Sequence, residues 1–589
     1  NETTGPYFVG DRATLAVTAS YFAGGPLPNA EVTWNVGTTP TNYNPPNWPD
    51  FTFGQWQPWW RYPIEPLYSP GFAGEFVEYD VGFPYPPDGG ETAYETFTGF
   101  TDAAGTHYLQ LDFEEMTAPR PFSVMADATV MDVNRQAWTA GASLLVHPAE
   151  WYVGLRSATT FVQQGEPLEI EAIVTDVDGN AISNVSIQME AGRLDWVYRN
   201  GEWVEELADA QACSVMSGNE PVSCAFETAV GGEYQITAVV SDELGRENQT
   251  QFTRWVSGGP AKPSRSVEQE EAALIPDKET YRPGDTAEIL VISPFGPAEG
   301  LLTVSRSGIL RTERFQITGS SSILRIPIEE AHIPNLNVQV DLAGSAPRLD
   351  DEGEPLPDAP PRPAFASGQI ALDVPPRSRA LDVQLTPQES ELEPGGETTV
   401  DVMVTDANGR PVPNAEIALV VVDEAVLALT NYQLADPLSL FYQLRPSLVN
   451  AVYGRSNIVL ANPEQLTIEA NAAERALSEA LPQAVPTGGA VEYEMALEEA
   501  APAAPMADEA GLAANKSAAD TPIAARSDFN PLATFAPAVY TDANGRAQIP
   551  VQLPDNLTRY RVMAVAAAGE KQFGSAEENV TARLPLMVR

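Results

Sequence analysis

The 589-residue chain sets 81 acidic side chains against 33 lysines and arginines, a formal net charge of −48. That balance excludes nucleic acid, whose phosphates need dense positive charge, and does not suit an anionic membrane surface; it reads as a well-solvated extracytoplasmic one. Hydrophobic content of 43% is ample for packed cores, and 52 prolines and 43 glycines scattered at turn spacings favour many short strands over long helices.

At roughly 100–150 residues per domain, four to five domains are expected. No apolar run approaches the roughly 18–20 residues that cross a bilayer, and no signal peptide opens the chain. A strand pattern is already running at Asp11 to Ala19, and Leu584 to Arg589 stops inside another. A fragment of a longer protein is the expectation.

Strand-opening turns recur at Val9-Gly-Asp11, Gln164-Gly-Glu166, Pro283-Gly-Asp285 and Pro394-Gly-Gly396, about 110–155 residues apart. That period signals tandem domains rather than a solenoid, whose units run about 20–50 residues. Short alternating strands between turn signals predict an all-β chain of tandem immunoglobulin-like antiparallel sandwiches. The boundaries fall at 1–147, 148–259, 260–378 and 379–589.

The first domain carries an insertion at 45–90, crowded with Trp48, Trp56, Trp59, Trp60, tyrosines and prolines. Such aromatics pack against a neighbouring domain or form a sugar-stacking platform. In the second domain Asp176-Val-Asp-Gly-Asn180 resembles the start of a calcium loop but lacks the remaining ligands, and it occupies a predicted turn. Cys213 and Cys224, the only cysteines, flank the polar turn Ser217-Gly-Asn219. A disulfide linking a hairpin is expected, worth on the order of 3 kcal/mol and requiring an oxidising compartment. Two buried free thiols are the alternative, and a zinc site is weaker, because His107, His147 and His332 all stand far from the pair in sequence. The third domain carries an acidic, proline-rich exposed loop at 347–363.

The fourth domain is interrupted. Ala415 to Leu429 reads as a continuous apolar β run, and Val539 to Leu553 and Tyr560 to Ala566 alternate like strands. Between them Ala461 to Arg526 is about a third alanine, with Tyr493 as its one aromatic residue. It cannot bury enough apolar surface to offset the roughly 1–2 kcal/mol per residue that backbone ordering costs. A long extended segment is a substrate for proteases of several specificities. Arg475, Lys516 and Arg526 suit trypsin-like enzymes, Tyr493, Met495 and Leu497 chymotrypsin-like ones, and the Ala/Pro tract elastase-like ones. No catalytic constellation, metal site or cofactor motif emerges from the sequence.

The flanks Val421-Val-Asp-Glu-Ala-Val-Leu-Ala-Leu429, Arg526-Ser-Asp-Phe529, Leu553-Pro-Asp-Asn-Leu-Thr-Arg-Tyr-Arg-Val562, Phe573-Gly-Ser575 and Leu584-Pro-Leu586 resemble the bacterial alpha-2-macroglobulins. The resemblance is specific over about 380–589 and diffuse elsewhere. It implies macroglobulin-like sandwiches carrying a bait region at about 456–527, whose cleavage by a protease triggers a collapse that traps it. The implied chain is a non-enzymatic piece of a broad-spectrum inhibitor, periplasmic, cell-surface or secreted, whose parent could be membrane-anchored. The family's thioester motif Cys-Gly-Glu-Gln is absent, and in the family it lies downstream of this stretch. Two other classes fit the composition: a tandem-domain surface scaffold or adhesin with an inert linker, and a carbohydrate-binding region of a secreted hydrolase.

Overall fold

The computed structural model describes residues 5–21, 24–61, 93–114, 119–199, 202–259, 270–348, 356, 359–449 and 528–584. Among the described residues strand accounts for 58% and helix for 5%, as the turn-rich composition predicts. The sheets form four pairs, each closing on its own apolar cluster.

In the first pair, the five-stranded sheet runs Tyr7–Phe8, Ala137–His147, Phe122–Met131, Glu31–Pro40, Ala93–Phe100 and faces the hairpin Arg12–Thr18 with Thr106–Asp112. In the second, Phe161–Val162, Glu247–Val256, Gly232–Ser241, Ser186–Arg199 and Glu202–Met216 face Val222–Phe226, Leu168–Asp176 and Trp151–Arg156. The third sets Glu270–Glu271, Arg362–Asp373, Asn335–Ala346, Ala298–Ser305 and Ile309–Ile317 against Ala273–Pro276, Thr286–Ile292 and Ser321–Pro327. The fourth sets Glu391–Leu392, Gln572–Ala582, Arg559–Ala568, Glu416–Asp423 and Leu532–Tyr540 against Leu381–Pro387, Glu397–Asp406 and Arg546–Gln552. Alternation builds each core: along Gly232–Ser241 every second residue is buried, because successive side chains point to opposite faces.

The described residues divide into two compact units. One holds those up to Arg377 together with 439–449; the other holds 378–438 and 528–584. The first three sheet pairs belong to the first unit and the fourth to the second.

The repeated glycine turns share one geometry. Gly10, Gly165, Gly284 and Gly395 have φ of 90°, 89°, 99° and 78°, a left-handed region that a Cβ disfavours. At three of them the following acid folds back to accept a backbone N–H: Asp11 from Phe8, Glu166 from Gln163, Asp285 from Arg282. Each turn follows a short parallel bridge to the last strand of its own sandwich. The sequence repeat is thus the corner at which each sandwich opens.

The tryptophan-rich insertion, described as far as residue 61, joins sandwiches. Thr52–Phe53 adds an edge strand to the second sandwich by pairing with Leu155 and Gly154. Tyr43 and Trp48 donate to the Val177 and Gly179 carbonyls. Trp56 and Trp60 pack with Trp255, Phe161, Ile275, Leu290 and Ile292, filling the seam between the second and third sandwiches. Packing, one of the two expectations for these rings, is what the structure shows.

Candidate functional site

The fourth sandwich is interrupted at one end of one sheet. The strand Glu416–Asp423 lies between Arg559–Ala568 and Leu532–Tyr540, with Val421 opposite Val562 on one side and Thr534 on the other. Because Val422 pairs antiparallel with Leu532, the strand going out and the strand coming back meet at the same end of the sheet. Loop-closure entropy grows only slowly with length, so two strands already in register tolerate a long insertion.

Both ends are tied down. The Asp423 amide donates to the Pro531 carbonyl at 2.8 Å, and its Oδ1 accepts from the Ala425 amide at 2.9 Å and from Thr558 Oγ1 at 2.8 Å. On the return, the Asp528 amide donates to Asp555 Oδ2 at 2.9 Å, and the Asp555 amide donates to the Asp528 carbonyl at 2.7 Å.

One expectation is corrected here: Glu424–Thr430 is an α-helix rather than the end of a strand. Asp423 caps its N-terminus, Glu424 sits in the first turn where the macrodipole favours negative charge, and Asn431, at φ 50°, ends it. A short Ala/Leu run is ambiguous by hydrophobicity alone, so the cap decides. Arg561 reaches the Glu424 carboxylate through Nε at 2.8 Å, and that bond holds the carboxyl below its usual range. With Arg559, Glu577 and Asn579 these side chains line a polar cleft of about 470 Å³. Its two arginines face two glutamates, so it carries no excess of either charge.

Upstream of the interruption, residues 439–449 belong to the first unit. Tyr442 packs against the core of the third sandwich. The Arg445 amide donates to Asn335 Oδ1 at 2.8 Å, its carbonyl accepts from Asn335 Nδ2 at 2.9 Å and Asn337 Nδ2 at 3.2 Å, and its guanidinium donates to Ser307 Oγ at 2.9 Å.

Two family models match the chain: the alpha-2-macroglobulin bait region domain over residues 272–429 and the alpha-2-macroglobulin family over residues 533–589. Both matches are to models of one family, and they lie on either side of the interruption. An alpha-2-macroglobulin homolog of Nostoc sp. is 25% identical over 98% of this chain, which spans 27% of that relative. A homolog of Deinococcus radiodurans is 24% identical over 78% of this chain, covering 38% of its own length. Native Escherichia coli alpha-2-macroglobulin, solved by cryo-EM, aligns with 99% of this chain and 33% of its own at 16% identity and a TM-score of 0.35. The chain therefore spans well under half the length of these relatives.

The two matches stop at Leu429, the last residue but one of the helix, and resume at Ala533, the second residue of the returning strand. Arg475, Tyr493, Met495, Leu497, Lys516 and Arg526, and the whole of 456–527, lie outside the described residues. Cys213 and Cys224 are bonded, with Cα atoms 6.3 Å apart. They do not link a hairpin: Cys213 is on the edge strand of the larger sheet of the second sandwich and Cys224 on the edge strand of the smaller. The bond therefore closes the sandwich across its open side, because the intervening turn carries the chain from one sheet to the other.

The calcium-like turn is a hairpin corner. Asp176 Oδ1 accepts the amides of Asp178 and Asn180 and its Oδ2 accepts from the Asn180 side chain; the pair of amide bonds to Oδ1 recurs at Asp102, Asp406 and Asp542. Among the described residues no group of three or more candidate ligands converges on a metal site. Sequence reading missed the contact of Arg445 with Asn335 and Asn337 altogether. Nothing in Leu444-Arg-Pro446 marks a docked segment, and its partners lie more than a hundred residues upstream.

Proposed function

We propose that this chain is the bait-bearing part of a broad-spectrum protease inhibitor: residues 456–527 are offered for cleavage, and the longer parent then changes shape and traps the attacking protease. The observations that carry this reading nest inside one another. The family matches end at 429 and resume at 533, the strands on either side pair within one sheet, and within that gap the composition of 461–526 cannot form a core. The chain acts as a protease's substrate and captor rather than as an enzyme, and its partners are endopeptidases of several specificities. The disulfide supports an extracytoplasmic location. Among the described residues no helix is long and apolar enough to cross a membrane.

Brief digestion with trypsin, chymotrypsin or elastase, used separately, tests it. First cuts are expected after Arg475, Lys516 or Arg526 with trypsin and after Tyr493, Met495 or Leu497 with chymotrypsin, and inside the Ala/Pro tract with elastase. In the full-length parent the same cut should leave the bound protease active on small substrates and inactive on large ones. First cuts at the junctions between sandwiches, or a parent whose cleavage leaves the protease fully active, would replace the inhibitor with an inert scaffold.

A further inference from the structure

A protease takes its substrate as an added extended strand, pairing with backbone N–H and C=O groups and drawing the scissile carbonyl into an oxyanion hole. A segment is shielded when those same groups are already held. At Arg445 they are: the carboxamide of Asn335 receives the amide and donates to the carbonyl, and Asn337 donates to that carbonyl as well.

Both asparagines sit on the strand Asn335–Ala346 and are 2% and 5% exposed. Releasing the segment would break all three of these bonds together. Among the described residues the Arg445 side chain bonds to Ser307 alone, and its charge bears unfavourably on the nearby Arg306. Tyr442 packs against the core of the third sandwich, and beyond it backbone capture does the holding: Phe441, Leu444 and Leu448 are 64%, 41% and 70% exposed, bulky apolar groups of the kind a chymotrypsin-like enzyme accepts.

We propose that the clasp of Asn335 and Asn337 on Arg445 sets the upstream limit of the cleavable window, protecting the bonds from Tyr442 to Leu448 while the insertion beyond is open to attack. This rests on the reading of 456–527 as bait. The clasp would confine the first cut to the segment whose loss the parent responds to.

Chymotrypsin digestion of the chain, with cut sites mapped by mass spectrometry, tests the proposal. The wild-type chain should be cut after Tyr493, Met495 or Leu497 with no early cut after Tyr442, Leu444 or Leu448. The pair Asn335→Asp with Asn337→Ala keeps side-chain volume at the more buried site and removes both donors. It should speed cutting at those upstream bonds by about tenfold or more, since each bond lost raises the open population.

Hydrogen exchange on the unmodified chain gives a second readout that does not depend on the variant folding. The Arg445 amide, outside any helix or strand, should exchange at least about tenfold more slowly than that of Leu448. Early wild-type cuts at 442–448, a folded variant with no gain there, or a fast Arg445 amide would each overturn the clasp. First cuts elsewhere than 456–527 would instead sink the bait reading, and the ratio of variant to wild-type cutting at 442–448 would still judge the clasp.

Discussion

His147 shows how a residue suited to catalysis serves packing instead. It ends the strand Ala137–His147, is 5% exposed, and its Nδ1 lies 2.7 Å from the Tyr152 hydroxyl, with the Tyr43 ring set edge-on 4.8 Å away. Burial pushes its pKa down from 6.5 to about 4, so it is neutral in the folded chain at neutral pH. The unfolded chain takes up a proton near pH 6.5 and the folded one only near 4. Stability contributed at this site is therefore constant above pH 6.5, falls as pH drops through the window from 6.5 to about 4, and is flat below it. His147→Gln should remove a slope approaching about 1.4 kcal/mol per pH unit within that window. Urea unfolding of both forms at pH 7 and pH 5 measures it, and equal pH dependence in the two would refute it. The other histidines are also structural: His107 accepts from the Trp34 indole, and His332 accepts the Glu329 amide.

At the scale of elements, the interrupted sheet should behave as one body after the chain is cut. Glu416–Asp423 makes ladders with strands on the far side of the insertion, and Ile417, Leu419, Val421, Val562 and Ala564 share one core at 0% exposure each. A single nick within 456–527 should leave the two pieces co-eluting in size-exclusion chromatography without denaturant and separating in urea. Dissociation in native buffer would mean that the ladders do not hold the sandwich together. The helix Glu424–Thr430 was not legible because its residues suit either state. The strands were, since period-two burial in Arg546–Gln552 and Glu397–Asp406 follows directly from alternating side chains.

At the scale of the molecule, the first unit depends on its aromatic seam. Trp56 and Trp255 ring centroids are 6.2 Å apart and Trp60 and Trp255 5.5 Å apart, and Arg254 stacks 5.0 Å over Trp56. Trp60→Ala should cost up to about 3 kcal/mol, the low end of the range for large aromatic truncations, because the ring is only partly buried. The loss falls on the contact between the second and third sandwiches. Calorimetry should show one cooperative transition splitting into two, and an unchanged profile would mean that the seam carries little of the coupling. The same packing argues against a glycan platform at Trp56 and Trp60, whose rings already meet other side chains.

The all-β class, the repeated corners, the interruption and the family resemblance were determined by sequence alone, because each is written locally. Alternation marks strands, a glycine turn, followed by an acid in three of the four cases, marks the corners, and alanine with few aromatics marks a stretch that cannot form a core. Tertiary structure alone decided that Thr52–Phe53 belongs to the second sandwich, that Cys213 and Cys224 join two sheets rather than one hairpin, and that Arg445 is held by Asn335. These pairings bring together residues whose own sequence surroundings are ordinary. Partners across such separations are chosen by where finished sheets leave an open edge or an unpaired amide, and no local pattern records that.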